Sequence, residues 1–289
     1  MLIKKLIITL LVFGLTFNII ADIKISKNVS GKLLFVGGNG EGNYTYIQNA
    51  INASSFGDII FVYIGIYPEN LEIYKSISLI GENKESTIIN GRNASSVIKL
   101  NASFINITGF TIENGNASGI LIEKCEKCYI NKNIIDHNLI GINIISSQNI
   151  MVFNNTISNN SDTGLNIKNL DILSEKNIIY HNNFFNNKNN VFDEGENNWS
   201  FENEGNFYDD YDRLDKNNDG IGDISYKIYG GENIDYYPLM MPYIGKIRLK
   251  EYYVDDESLY TMLIIGMIIA ILFLLPIAFI WYKKTKHLK

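Results

Sequence analysis

The fold is decided between Gly119 and Asn187, where one short phrase of residues recurs three times. The copies read CYINKNIIDHN (Cys128–Asn138), IMVFNNTISNN (Ile150–Asn160) and IIYHNNFFNN (Ile178–Asn187). Aligned on the last apolar residue, they put Asn133, Asn155 and Asn183 in one column. Ile135, Ile157 and Phe185 form a second, and Ile130, Val152 and Tyr180 a third. Ile107 and Ile112 continue the apolar columns one unit upstream. A unit of about 22 residues is too short to bury a face alone, so column-wise recurrence at that period signals a solenoid. The apolar runs are four to six residues long, rich in Ile, Val, Phe and Tyr, and bounded by Asn, Ser and Gly. That composition makes strands. Three short strands and three turns fit one unit. The expected fold is an all-β parallel β-helix, with coils about 4.8 Å apart and stacked Asn side chains bonding along the axis.

Composition agrees. The 289 residues carry 39 Asn but only 19% charged residues, so polarity rests on amides, which stack without the repulsion of like charges. The formal charge of −6 is uneven. Residues 193–257 hold 17 acidic and 6 basic side chains, a local balance of −11. Such a segment argues against a nucleic-acid partner and for cations. Ten N-x-S/T sequons begin at Asn28, Asn43, Asn52, Asn93, Asn101, Asn106, Asn116, Asn154, Asn159 and Asn198. They point to a glycosylated surface protein.

Both ends are apolar. Lys4 and Lys5 precede a run from Leu6 to Phe17, with Ala21 as a cleavage position, so residues 1–21 read as a signal peptide. Residues 259–281 are long and apolar enough to span a bilayer, and Lys283, Lys284, Lys286 and Lys289 follow them. The positive-inside tendency places residues 282–289 in the cytoplasm and Ile23 to Ser258 outside. Between the ends lie a strand and capping helix (22–58), the β-helix (59–192), an acidic module (193–244) and a stalk (245–258). The helix is expected near Tyr44–Ala53, capped by Asn43 or Thr45, where it covers the open edge of the first coil. The Gly37–Gly42 loop lacks the Lys-Ser/Thr of a phosphate-binding loop and reads as a turn.

The segment YTYIQNAINASSFGDIIFVYIGIYPENLEIYKSISLIGENKESTIING, residues 44–91, resembles the entry to NosD-like right-handed β-helix proteins. These belong to the pectin-lyase-like superfamily, carry carbohydrate-binding and sugar-hydrolysis-type repeats, and are frequent at archaeal surfaces. The likeness extends over Tyr44–Met240. It implies the handedness of the coil and a glycan or envelope polymer as partner. It leaves open a binding or structural module, a polysaccharide lyase or hydrolase, and a copper-handling accessory protein.

Site chemistry is sparse. Hydrolases on this fold resemble one another in placing acids on adjacent rungs. Here Asp136, Asp162, Asp171 and Glu123 share no column, and Lys132, Asp136, Asn154 and Ser158 read as solvated turn residues. His137 aligns with Asn159 and Asn187, and His181 with Asn131 and Phe153, so no histidine ladder for copper is expected. Cys125 and Cys128 are expected as a disulfide, with two free turn thiols as the other reading. The most specific motif is D-x-N-x-D-G-x-G-D. Asp215, Asn217, Asp219, the Ile221 carbonyl and Asp223 are spaced for a calcium loop, although Tyr226 stands where the bidentate Glu belongs. Asp209, Asp210 or Asp212 would supply the missing ligand.

Overall fold

The computed structural model describes residues 31–170 and 174–245. Strand β1 (Leu33–Val36) and helix α1 (Ile47–Ala53) lead into successive coils of three strands. The first is β2 (Ile59–Val62), β3 (Gly65–Tyr67) and β4 (Leu71–Ile73), and the second β5 (Ser78–Gly81), β6 (Thr87–Asn90) and β7 (Ile98–Leu100). Next come β8 (Asn106–Thr108), β9 (Thr111–Glu113) and β10 (Ser118–Glu123), then β11 (Tyr129–Asn131), β12 (Ile134–Asp136) and β13 (Ile140–Ile145). The last two are β14 (Met151–Phe153), β15 (Thr156–Ser158) and β16 (Thr163–Lys168), then β17 (Ile178–Tyr180), β18 (Asn183–Phe185) and β19 (Asn189–Asp193). Strand β20 (Phe207–Tyr208) extends the second face, and β21 (Tyr226–Lys227) pairs antiparallel with β22 (Ile234–Asp235). Every third strand stacks on its predecessor. The result is three parallel sheets, here A (β1 to β17), B (β3 to β20) and C (β4 to β19). The coils wind right-handed.

Period-2 alternation within each short strand sends one set of side chains inward. Ile60, Leu79, Ile107, Ile130, Val152 and Ile179 line sheet A inside, and Ile89, Ile112, Ile135, Ile157, Phe184 and Tyr208 line sheet B. Each is fully buried, worth roughly 1.5–3 kcal/mol of transfer free energy. Pairing like residue with like keeps the column width constant from rung to rung. Where sheets A and B turn close to each other, Gly81 and Gly109 (φ +86°) meet backbone to backbone. A Cβ on Gly81 would lie 2.1 Å from the Gly109 carbonyl oxygen.

The register corrects the third repeat. Val152 pairs with Ile179 and Ile157 with Phe184, so the Asn column runs Asn133, Asn155, Asn182 and Asn206, not through Asn183. Tyr180 and Phe185 face outward, because a one-residue slip exchanges the two faces of a strand. Each Asn Oδ1 accepts the backbone N–H of the Asn one coil earlier: Asn155 from Asn133 at 3.0 Å, Asn182 from Asn155 at 3.1 Å, Asn206 from Asn182 at 3.0 Å. A second column at the next corner repeats the device with Asn138, Asn160 and Asn187. Ahead of every such Asn but Asn206, the preceding residue sits in left-handed conformation: Lys132, Asn154 and His181 at one corner, His137, Asn159 and Asn186 at the other. The turn therefore needs a positive φ followed by an amide, which explains the Asn pairs in the sequence.

Both ends are closed. The N-terminal helix appears as expected, but neither Asn43 nor Thr45 caps it. Instead the Glu69 carboxylate, from the coil beneath, accepts the N–H groups of Ile47 (2.8 Å) and Gln48 (3.0 Å). Lys75 Nζ donates to the carbonyls of Ile51, Asn52 and Ser54 at the other helix end. At the C-terminal end the acidic module folds over the last coil. Asp235 ends the first Asn column, accepting from Asn206 N (2.8 Å) and Tyr208 Oη (3.2 Å), and Tyr208 stacks on Tyr226 at 3.7 Å. Asp193 ends an inward column of sheet C below Ile167 and accepts from the Trp199 indole at 2.9 Å. Burial pushes both carboxyl groups up, Asp235 to about 6.

The expected signal peptide, membrane span and cytoplasmic tail lie outside the described residues, as does the stalk apart from Gly245. Among the described residues no helix is long and apolar enough to cross a membrane.

Candidate functional site

Outward positions of sheet B carry the strongest polar row. Asn90, Glu113, Asp136 and Ser158 pair rung to rung in β6, β9, β12 and β15. Two acids therefore do share a column. The expectation that none would failed because Glu113 lies on a coil where only the apolar columns of the repeat were followed. The row is cross-linked. Glu113 Oε1 accepts the Asn90 amide at 2.7 Å and the Asn114 amide at 3.3 Å. Asp136 Oδ1 accepts Ser158 Oγ and Asn159 Nδ2, each at 2.8 Å, and Asp136 Oδ2 lies 2.5 Å from His137 Nδ1. Three neighbours thus fix one carboxylate, and through it an imidazole on a left-handed turn (φ 53°).

His137 projects where sheets B and C meet. The second Asn column forms that corner, and a groove of about 270 Å³ opens along it. Its walls include Asn93, Asn116, His137, Leu139, Asn159 and Ser161, with Asn138 of the column beneath. The His137 side chain is 64% exposed, while Asp136 is largely covered. Among the described residues no lysine or arginine lines the groove. Lys132, one corner away, shares a turn column with Asn154.

The other predicted residues go elsewhere. His137 aligns with Asn159 as expected but with Asn186 in place of Asn187, and His181 aligns with Asn154 in place of Phe153. His181 is nearly buried, its Nε2 is 2.6 Å from Glu204 Oε2, and its ring stacks on Tyr243 at 3.8 Å. Cys125 and Cys128 stand as two free, buried thiols, not as the expected disulfide. Cys125 shares its turn column with Ser147, whose Oγ accepts the Cys125 N–H at 3.1 Å. Ser147 Oγ approaches the carbonyls of Ile122 and Ile145, and Cys125 Sγ approaches those of Leu100 (3.4 Å) and Glu123 (3.2 Å) in the same way. A hydrogen bond from the Cys128 thiol pulls the Cys125 thiol below the usual range, and the same contact with burial pushes Cys128 well above it.

In the 215–223 loop the carboxylates face the backbone. Asp215 accepts the N–H groups of Asp219 (3.2 Å) and Gly220 (2.9 Å), and Asp223 accepts that of Lys216 (2.8 Å). Gly220 has a positive φ of 85°, as the motif requires. Asp209 and Asp210 are held by Asn190 and Tyr226, and Asp212 lies 4.0 Å from Arg213. Of the sequon asparagines inside the described residues, Asn52, Asn93, Asn101, Asn116, Asn159 and Asn198 are exposed and Asn43, Asn106 and Asn154 half-buried, while Asn28 lies outside.

Residues 47–174 match a family model. That family is described as periplasmic copper-binding protein (NosD). The NosD match covers α1 and the coils through β16 and stops before the acidic module. No curated protein matches the chain. Solved structures do. Pectin methylesterase PemA from Erwinia chrysanthemi aligns at 15% identity and a TM-score of 0.40, over 53% of this chain and 55% of that one. Carrot pectin methylesterase gives 17% and 0.41 over 53% and 54%, and ORF18 of Geobacillus virus E2 gives 20% and 0.40 over 56% and 37%. The chain thus spans about half the length of the two esterases. The copper in the NosD description finds no fitting donor set. His137 and His181 are each turned onto a carboxylate, the thiols are buried against carbonyls, and no three of His, Cys, Asp or Glu converge as a metal-holding group among the described residues.

Proposed function

We propose that the chain is a membrane-anchored, outward-facing β-helix that binds a glycan in the groove between sheets B and C. The observation that carries this reading is the groove wall. Amides of Asn93, Asn116 and Asn159, the Ser161 hydroxyl and the His137 imidazole line one depression. Amides and hydroxyls both donate and accept, which matches the two-way hydrogen bonding of sugar hydroxyls. The apolar stretch 259–281 with its trailing lysines supports the anchor, and the spacing of Asp215, Asn217 and Asp219 supports weak calcium binding in the adjoining module.

The test is a glycan array probed with the full chain in detergent, with calcium and with chelator. Retention of a glycan class that drops at least tenfold in the N116A/H137A double variant supports the reading. Equal retention by that variant would move binding off the groove. No retention at all would leave a structural envelope role.

A further inference from the structure

We infer that Asp136 and His137 form a general-base pair that hydrolyses small acyl esters, such as acetyl groups, carried by the ligand in the groove. The inference rests on the glycan reading for the identity of the alcohol that bears the acyl group.

The geometry is that of an oriented base. The Asp136 carboxylate is immobilised on one oxygen by Ser158 Oγ and Asn159 Nδ2, and its other oxygen lies 2.5 Å from His137 Nδ1. That contact places the ring proton on Nδ1 and leaves the Nε2 lone pair as the basic site. His137 is a wall of the groove, and its Nδ1 is the ring nitrogen that faces Asp136. Neither ring atom is committed to a core contact, since the side chain is mostly exposed.

The neighbours narrow the chemistry. Ser158 donates its proton to Asp136, away from the imidazole, so it is no seryl nucleophile. Glu113 is tied to Asn90 and Asn114 and does not line the groove, so no second carboxyl stands ready to protonate a glycosidic leaving group. The absence of lysine and arginine from the walls removes the cation that proton abstraction beside a sugar carboxylate would need. An ester asks less, because one base serves both halves of its hydrolysis. Water gives a proton to His137 Nε2 as its oxygen bonds to the acyl carbon. The carbonyl electron pair moves to oxygen, where the Asn93 and Asn116 amides at the wall offer N–H donors. The oxyanion collapses, the acyl C–O bond to the sugar breaks, and the imidazolium returns its proton to the leaving alkoxide. The products are a free sugar hydroxyl and a carboxylic acid. The acyl methyl group has an apolar wall in Leu139, which is 42% exposed.

In this scheme His137 is the catalytic residue and Asp136 a positioning residue. The full chain in detergent is assayed for acetate release from an O-acetylated oligosaccharide and for turnover of p-nitrophenyl acetate, against free imidazole at equal concentration. We expect H137Q to lower kcat/KM on the order of 100-fold or more. D136N should lower kcat roughly 10- to 100-fold with KM retained, a split that a merely structural change would not produce. A wild-type rate no greater than that of imidazole, or full activity in H137Q, overturns the proposal. Glycan retention without acetate release would sink the hydrolysis and keep the binding reading. Ester turnover lost in H137Q, with no glycan retained, would keep the base pair and sink the glycan.

Discussion

Substituting Asn182 and Asn183 separately by alanine tests the register of the whole stack. The two residues are neighbours of one type, and only the register decides which lies inside. Asn182 is fully buried. Its Oδ1 accepts from Asn155 N (3.1 Å) and Asn155 Nδ2 (2.9 Å), and its Nδ2 donates to Val152 O (2.8 Å) and Asn206 Oδ1 (3.0 Å). Alanine there strands the Asn155 backbone N–H in the interior, takes one donor from the Val152 carbonyl and breaks the column in two. A stranded group costs about 1–3 kcal/mol and the other lost bonds add to it, so N182A should lose roughly 3–5 kcal/mol even if a water enters. Asn183 instead clasps the backbone of Tyr243 at the edge of the terminal segment, donating to its carbonyl (2.9 Å) and accepting its N–H (2.6 Å). N183A should cost about 1 kcal/mol and expose the chain near Tyr243 to protease. For an ordered body of this size the N182A loss is a fall of about 10 °C in Tm. Urea unfolding of the full chain, followed by circular dichroism and by fluorescence of the buried Trp199, measures both. N183A costing more than N182A, or N182A costing under about 1 kcal/mol, would refute the register and the bonded column with it.

Three further outcomes follow from the same geometry. The Asp235 carboxyl titrates at about 6 in the folded chain against ~3.9 unfolded, a raised value. Its stabilising contribution is therefore complete below about pH 4 and is lost as pH rises through 6, a change of about 3 kcal/mol, and comparing wild type with D235N at pH 5 and pH 7.5 should show that slope only in the wild type. Cys125→Ser should change stability by under about 1 kcal/mol, since Ser147 already fills the next position of that column, and a urea midpoint that collapses would count against the free-thiol arrangement. Lys132→Asn should raise Tm slightly, about 0.5 kcal/mol of relief at φ 54°, and no rise on a melting curve would argue against left-handed strain at that corner.

Much of this molecule was legible before any coordinate. The inward apolar column through Ile130 and Val152, the strand character and the closing helix follow from period and composition. The third repeat was not, and its text shows why. Asn182–Asn183 and Phe184–Phe185 are doublets, and aligning on the last apolar residue picks the outer member of each. Ile107, Ile130, Val152 and Ile179 stand 23, 22 and 27 residues apart, so the longer last interval gave no independent check. The helix cap was unreadable for a different reason. Glu69 reaches α1 from a later coil, and no local spacing encodes that contact. The candidate site was half visible. Asp136 and Ser158 were grouped by sequence, but the link to His137 and the stacking on Glu113 need the register of four coils.

The terminated Asn column has a consequence for how such a chain can change length. Every step of the column is the same bond between the same groups, and only its last acceptor, Asp235, differs. An internal coil could be duplicated or excised without altering either lid, because each new junction would join an amide to an amide. The molecule is in that sense a ruler graduated in steps of about 4.8 Å. The corner groove, running along the same axis, would lengthen or shorten by whole graduations with it.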